Sequence, residues 1–109
     1  MAFDEVLAAR MRKYLGTRAG FVEKKMFGGV AFLVRGNMCV GVHKDEMIVR
    51  IDPHDTTAAV KKPGARLFDI TGRPMKGWIL VEPYGLRGAG LAKWIKRASA
   101  YAGSLPKKK

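Results

Sequence analysis

Between Val22 and Asp52 apolar and polar residues alternate with a period of two, in four short runs, "VEKKMF", "VAFLVR", "MCVGVH" and "MIVRID". That period belongs to strands with one face buried, and runs this short and close can only pair with their neighbours as an antiparallel meander. The breaks fall at Gly28-Gly29, Gly36-Asn37 and Lys44-Asp45-Glu46. Gly36-Asn37 predicts a two-residue hairpin, because both residue types tolerate the positive φ angles of such turns. Gly28-Gly29 stands between two strands, whereas a phosphate-binding glycine loop lies between a strand and a helix. A bulge or tight bend is the expectation there, with Met26 and Phe27 as core residues.

Helical periods flank the meander. In "FDEVLAARMRKYLGTR", residues 3–18, Phe3, Leu7, Met11 and Tyr14 recur every three or four positions and predict a helix with one buried stripe. Arg10 falls in that stripe, so its stem is expected to pack while its guanidinium reaches an edge or a carboxylate. After the strands, Asp52 or Asp55 caps a short helix that Pro63-Gly64 ends. "ARLFDITGRPMKG" reads as a connection with a brief apolar piece at Leu67 and Phe68, and "GWILVE", residues 77–82, as the last strand. Trp78 and Leu80 share one face of that strand, and Ile79 and Val81 the other, so both faces are expected to be covered.

A final helix from Leu86 to Ala102 places Leu91, Trp94, Ile95, Ala98 and Ala102 inward, with Lys93, Lys96 and Arg97 outward. The expectation is an α+β fold of two layers in the order α-β-β-β-β-α-β-α, an antiparallel sheet of about five strands with helices packed against it. Residues 1–103 form one domain, consistent with a 109-residue chain, and 104–109 a basic flexible tail.

Composition bounds the function. No apolar run approaches the ~18 residues of a membrane-spanning helix, and the first ten residues carry acids where a secretory signal carries bases. The expected place is the cytoplasm, with no membrane partner. Cys39 is the single cysteine, and with His43 and His54 as the only histidines no zinc-type cluster is expected, nor any cofactor. Cys39 and His43 share strand parity but lie about 13 Å apart along it, too far for a nucleophile and its base. No catalytic constellation is found and the expectation is a protein that is not an enzyme.

The net charge of +12 is the outlier, and the tail lysines Lys107, Lys108 and Lys109 account for only three of it. A field of that sign attracts polyanions, nucleic acid above all, and also keeps a protein soluble. Lys24, Lys25, Arg35, Lys61, Lys62, Arg66, Arg73 and Lys76 crowd the turns and the region of the short helix as a candidate basic patch, with scattered solvated cations as the competing account. A second candidate is "YGLRGAG", where Gly85, Arg87, Gly88 and Gly90 follow a strand and open a helix, and could hold an anion; the spacing matches no standard nucleotide fingerprint. Trp78 and Trp94 are candidate stacking platforms, although the helical stripe places Trp94 most simply in the core.

The run "KKMFGGVAFLVRGNMCVGV", then "MIVRID", then "GRPMKGWILVEP" and a helix "LAKWIKRASAYA", resembles the N-terminal domain of the TfoX/Sxy family of bacterial competence regulators. The resemblance runs from about Lys24 to Ala102 and rests most on Met26, Phe27, Gly28 and Gly29, on Gly72, Arg73, Pro74 and Met75, and on Trp94. It implies an α+β fold and a non-catalytic regulatory role in transcription through a protein partner. Full-length members act with the cyclic-AMP receptor protein and carry a further helical domain. Direct nucleic-acid binding through basic surface, and small-anion binding at the head of the last helix, are the alternatives. A homodimer through an edge strand is a further expectation left open.

Overall fold

The computed structural model describes residues 4–15, 20–26, 29–69 and 75–106, with Met26 and Met75 described by their backbone alone. Phe27, Gly28, Gly72, Arg73 and Pro74 lie outside the described residues. The order of elements is α1 (Glu5–Leu15), β1 (Phe21–Met26), β2 (Gly29–Val34), β3 (Asn37–His43), β4 (Glu46–Arg50), α2 (Thr56–Ala59), β5 (Ala65–Phe68), β6 (Met75–Val81) and α3 (Gly90–Ser104). Short 3-10 turns over Pro53–Asp55 and Pro83–Leu86 lead into α2 and toward α3.

The six strands form one sheet in the order β1-β2-β3-β4-β6-β5, every neighbour antiparallel. The expected α+β architecture is present, with one strand more than the sequence indicated. The additional strand is the Leu67-Phe68 piece, which pairs with β6 along one edge. Four residues are too few to display a period, so only its pairing reveals it.

The register lays Val30 beside Val42, Val42 beside Met47, and Met47 beside Val81, all turned toward the helices. Residues of all three helices close over this row, including Leu7, Met11 and Leu15 of α1, Ala59 of α2 and Leu91, Ile95, Ala98 and Ala102 of α3. On the other face Ala31, Met38, Ile48, Phe68 and Leu80 form a smaller buried cluster, against which Leu33 and Trp78 pack. β6 is thus apolar on both faces, as its sequence indicates.

Within α1 the buried stripe is Leu7, Ala8, Met11 and Leu15, whereas Tyr14 is 46% exposed. The expected place of Tyr14 in the stripe is therefore corrected to Leu15, which stands four residues after Met11 and has no polar end to keep in water. The Asp4 carboxylate accepts from the amides of Val6 and Leu7 at 2.9 and 3.0 Å and caps the helix. Arg10 donates to the Leu86 carbonyl at 3.0 Å, tying α1 to the turn before α3.

The β2–β3 hairpin turns at Arg35-Gly36, with φ of 51° and 82°, one residue earlier than the sequence indicated. Asn37 is the first residue of β3 and faces Val34. Two positive φ angles define a type I′ turn, and the left-handed conformation costs a non-glycine residue about 1–2 kcal/mol. The Arg35 guanidinium offsets that cost by donating to the carbonyls of Gly103 and Leu105, the second at 3.0 Å. The Asn37 amide donates to the Pro106 carbonyl at 2.9 Å, so the chain is held against this hairpin as far as Pro106, and the tail beyond it lies outside the described residues.

A bulge interrupts β3, where Phe32 pairs with Val40 and Leu33 with Met38, leaving Cys39 as the extra residue. Cys39 joins Val40 and Val42 in the helix-side cluster, with its Sγ 3.7 Å from the Ser99 hydroxyl. The alternation that placed Cys39 and His43 on one face does not hold across this bulge. Of the two aspartates proposed as caps, Asp52 accepts from the His54 amide at 2.9 Å, while Asp55 makes no side-chain cap. Buried Thr56 donates to the Pro53 carbonyl and accepts from the Gly77 amide at 2.8 Å, which fastens α2 to β6.

Gly29 starts β2 where a Cβ would collide with the Val42 carbonyl. Gly29→Ala is therefore expected to destabilise the fold by about 1–3 kcal/mol through overpacking. Gly103→Ala, in open space on α3, is expected to be neutral or stabilising by up to about 1 kcal/mol. Urea midpoints of the two variants against the parent check both signs.

Candidate cationic cleft

Three backbone segments meet where α2 gives way to β5 and where α3 begins. The Gly64 turn, at φ 76°, lies directly against Gly85, and the Glu82 amide donates to the Gly64 carbonyl at 2.9 Å. A Cβ on Gly85 would collide with the Pro63 carbonyl, and one on Gly90 with the Gly85 carbonyl. Only glycine lets the three backbone segments approach so closely. This contact explains Gly85 and Gly90 of the glycine cluster by packing, and it fixes the start of α3 beside the Lys62-Pro63 turn.

An open cleft of about 590 Å³ lies between these segments. Lys62 and Pro63 form one wall, Tyr84 and Gly85 the second, and Gly90, Lys93, Trp94 and Arg97 of α3 the third. Lys93 and Arg97 stand four apart and so emerge on the same side of the helix. Trp94 is buried to 5% exposure and gives the cleft an aromatic base, with the Arg97 guanidinium 5.7 Å from its ring centre. Tyr84 is 57% exposed and leaves its ring open to solvent.

The electrostatics are one-sided. Arg97 approaches the Asp55 carboxylate at 3.9 Å, a loose and half-exposed contact, and Lys62 and Lys93 make no ion pair among the described residues. Two guanidinium groups elsewhere are tightly held by carboxylates. Arg12 grips Glu23 through two hydrogen bonds of 2.8 and 2.9 Å, which hold the Glu23 carboxyl below the usual glutamate range. Arg66 grips Glu46 at 2.7 and 3.2 Å and Asp69 at 3.1 Å, which raises its own affinity for a proton.

The described residues of the candidate basic patch are spread over several elements. Lys24 and Lys25 lie on edge strand β1, Arg35 caps α3 from the hairpin, and Arg66 is neutralised on β5. Lys76 lines a separate depression with His54 and Thr57, and Arg73 lies outside the described residues. Lys62 faces the cleft, next to exposed Lys61.

Of the glycine-rich candidates, Gly85 and Gly90 line the cleft, and Gly88 at φ 56° stands in open space. Arg87 lies beyond Tyr84 in a neighbouring depression with Asp45, Glu46 and Glu82. Trp78 is on the opposite side of the sheet from the α3 core, with the Arg50 guanidinium 5.2 Å from its ring centre.

Sequence reasoning missed Tyr84, Lys93 and Arg97 as site residues. The available signal was the four-residue spacing of two cations on the wet side of α3, and an aromatic residue at 84 that belongs to no apolar period. The metal-ligating residue types are dispersed, and among the described residues no group of three or more His, Cys, Asp or Glu side chains is arranged to hold an ion. No described helix is long and apolar enough to cross a membrane.

The exposed rim and the buried base should separate in stability measurements. Tyr84→Ala is expected to leave the unfolding free energy within about 0.5 kcal/mol of the parent. Trp94→Ala should lower it by about 3–5 kcal/mol by opening a cavity under α3. Denaturant unfolding of both variants tests the division.

No curated protein and no solved structure matches the chain significantly. The model of the TfoX N-terminal domain matches residues 13–102, a span that holds the sheet, the cleft and nearly all of α3. With most of its length covered by that match, the chain belongs to the TfoX N-terminal domain family.

Proposed function

We propose that this domain is a non-catalytic binding module of a regulatory system, and that its working surface is the cationic cleft at the head of α3. The observation that carries the reading is the convergence of Lys62, Lys93 and Arg97 on one opening, where the loose contact of Arg97 to Asp55 is the only ion pair among the described residues. Cations held together without matching carboxylates repel one another, and an anion bound among them relieves that repulsion.

The residues lining the cleft include no His, Cys, Asp, Glu, Ser or Thr, and the lysines and tyrosine there have no carboxylate or imidazole beside them in the lining to take up a proton. That composition supports holding a ligand over transforming one. Membership in the TfoX N-terminal domain family supports a regulatory setting, and an acidic transcription regulator is the first protein partner to test. The cytoplasm is the proposed place of action, in keeping with the lone buried Cys39.

A second reading, direct association with nucleic acid, draws on the same surface and on the net charge of +12. It predicts affinity that falls steeply with salt, because each phosphate contact releases counterions. Fluorescence anisotropy with a labelled acidic peptide and a labelled DNA duplex, at ~50 and ~200 mM salt, tests the proposal. Binding of at least one anion is expected at low salt, with a loss of ten-fold or more at the higher salt. The double variant Lys93→Glu, Arg97→Glu should remove it, and Lys24→Glu on β1 should leave it nearly intact. Failure of both anions to bind, or equal sensitivity to the β1 variant, would contradict the placement of the working surface.

A further inference from the structure

The chemistry of the cleft walls narrows what kind of anion they suit. Lysine and arginine side chains only donate hydrogen bonds, as does the tryptophan indole. Of the side chains lining the cleft, the Tyr84 hydroxyl is therefore the single one able to accept. A peptide laid in this space would bring backbone N–H groups that need acceptors. The phosphate of a phosphodiester, or of an ionised phosphomonoester, brings acceptor oxygens that cationic donors of this kind can meet.

The second element is aromatic. Tyr84 is 57% exposed, the highest value among the large aromatic side chains of the described residues, and it lines the cleft together with Lys62, Pro63 and the α3 cations. An exposed ring among cations costs hydration of an apolar face unless something stacks on it, and planar bases stack on such rings irrespective of their identity. In a duplex the base faces are already stacked, so only an unpaired base can use Tyr84. The opening of about 590 Å³ falls within the usual range of sites for ligands of this size.

We infer that the cleft binds a nucleoside phosphate unit, with the base against Tyr84 and the phosphate among Lys62, Lys93 and Arg97. The inference rests on the cleft being the working surface proposed above and names the ligand class it takes. The unit has two sources, a free mononucleotide or an unpaired stretch of a nucleic-acid strand, and both present the same chemistry.

The test is fluorescence anisotropy with a short labelled single-stranded oligothymidylate at low salt, using the intact chain and the variants Tyr84→Ala, Tyr84→Phe and Lys62→Ala. The single strand should bind more tightly than a duplex of equal length. Tyr84→Ala should weaken it roughly ten-fold or more, and Tyr84→Phe, which keeps the ring, by no more than about two-fold. Lys62→Ala should shallow the salt dependence by about 0.7 in logarithmic slope, the share of one phosphate on a single strand. Competition by thymidine monophosphate at concentrations where inorganic phosphate is inert identifies a free nucleotide as sufficient. Competition by unlabelled strand alone assigns the strand as the source.

Unchanged binding by Tyr84→Ala, or tighter binding of duplex than of single strand, overturns the inference while leaving the cationic surface in place. Binding of an acidic peptide with no binding of strand or mononucleotide does the same, and assigns the cleft to a protein partner. Loss of every anion together removes the proposed surface as well.

Discussion

One row of apolar side chains across the sheet governs this molecule. Val30, Val42, Met47 and Val81 come from four strands and lie side by side only because the register of β2, β3, β4 and β6 is what it is. A one-residue slip in any of these strands would turn its whole apolar set to the other face. The helices are bound to that row: α1 brings Leu7, Met11 and Leu15 to it, and α3 brings Leu91, Ile95, Ala98 and Ala102. The positions of the polar residues on the outer sides of the helices follow from this packing.

The cleft is a by-product of how the end of the sheet is finished. β6 enters between β4 and β5, so the turn at Lys62-Pro63-Gly64 is carried next to the chain leaving β6 at Glu82. Gly85 and Gly90 then allow the backbone segments to touch, and α3 begins with Lys93 and Arg97 directed over the gap. Lys62 is thereby placed by backbone contacts on the same opening as Lys93 and Arg97, some thirty residues further along the chain. Their arrangement does not require any interaction among themselves, which is why the charge remains available to a ligand.

Much of the fold was legible because its signals are local. Alternation along residues 22–52 fixed four strands, and the stripe in α3 fixed which side of that helix is buried. The less legible parts depend on partners distant in sequence. β5 is a strand only through its pairing with β6, and the turn at Arg35-Gly36 is preferred over Gly36-Asn37 with the help of Arg35 hydrogen bonds to residues almost seventy positions away. The bulge at Cys39 likewise arises in the pairing of β2 with β3 and has no mark in the sequence of β3 alone. Of the glycines of "YGLRGAG", Gly85 and Gly90 answer to close backbone packing, which no spacing in the sequence announces. The basic residues drew attention too widely, because counting charge along a chain says nothing about which guanidinium groups already hold carboxylates, as Arg66 does.

The most direct measurement is a map of amide shift changes in the ¹⁵N-labelled protein as sodium phosphate is added at constant ionic strength. The account predicts changes concentrated at Lys62, Gly64, Tyr84, Gly85, Gly90, Lys93 and Arg97, the two sides of the cleft moving together at one concentration. Changes of equal size at Lys24, Lys25, Lys44 and Lys76 would mean that anions meet a diffuse positive surface, and would contradict the claim that this fold builds one site for them.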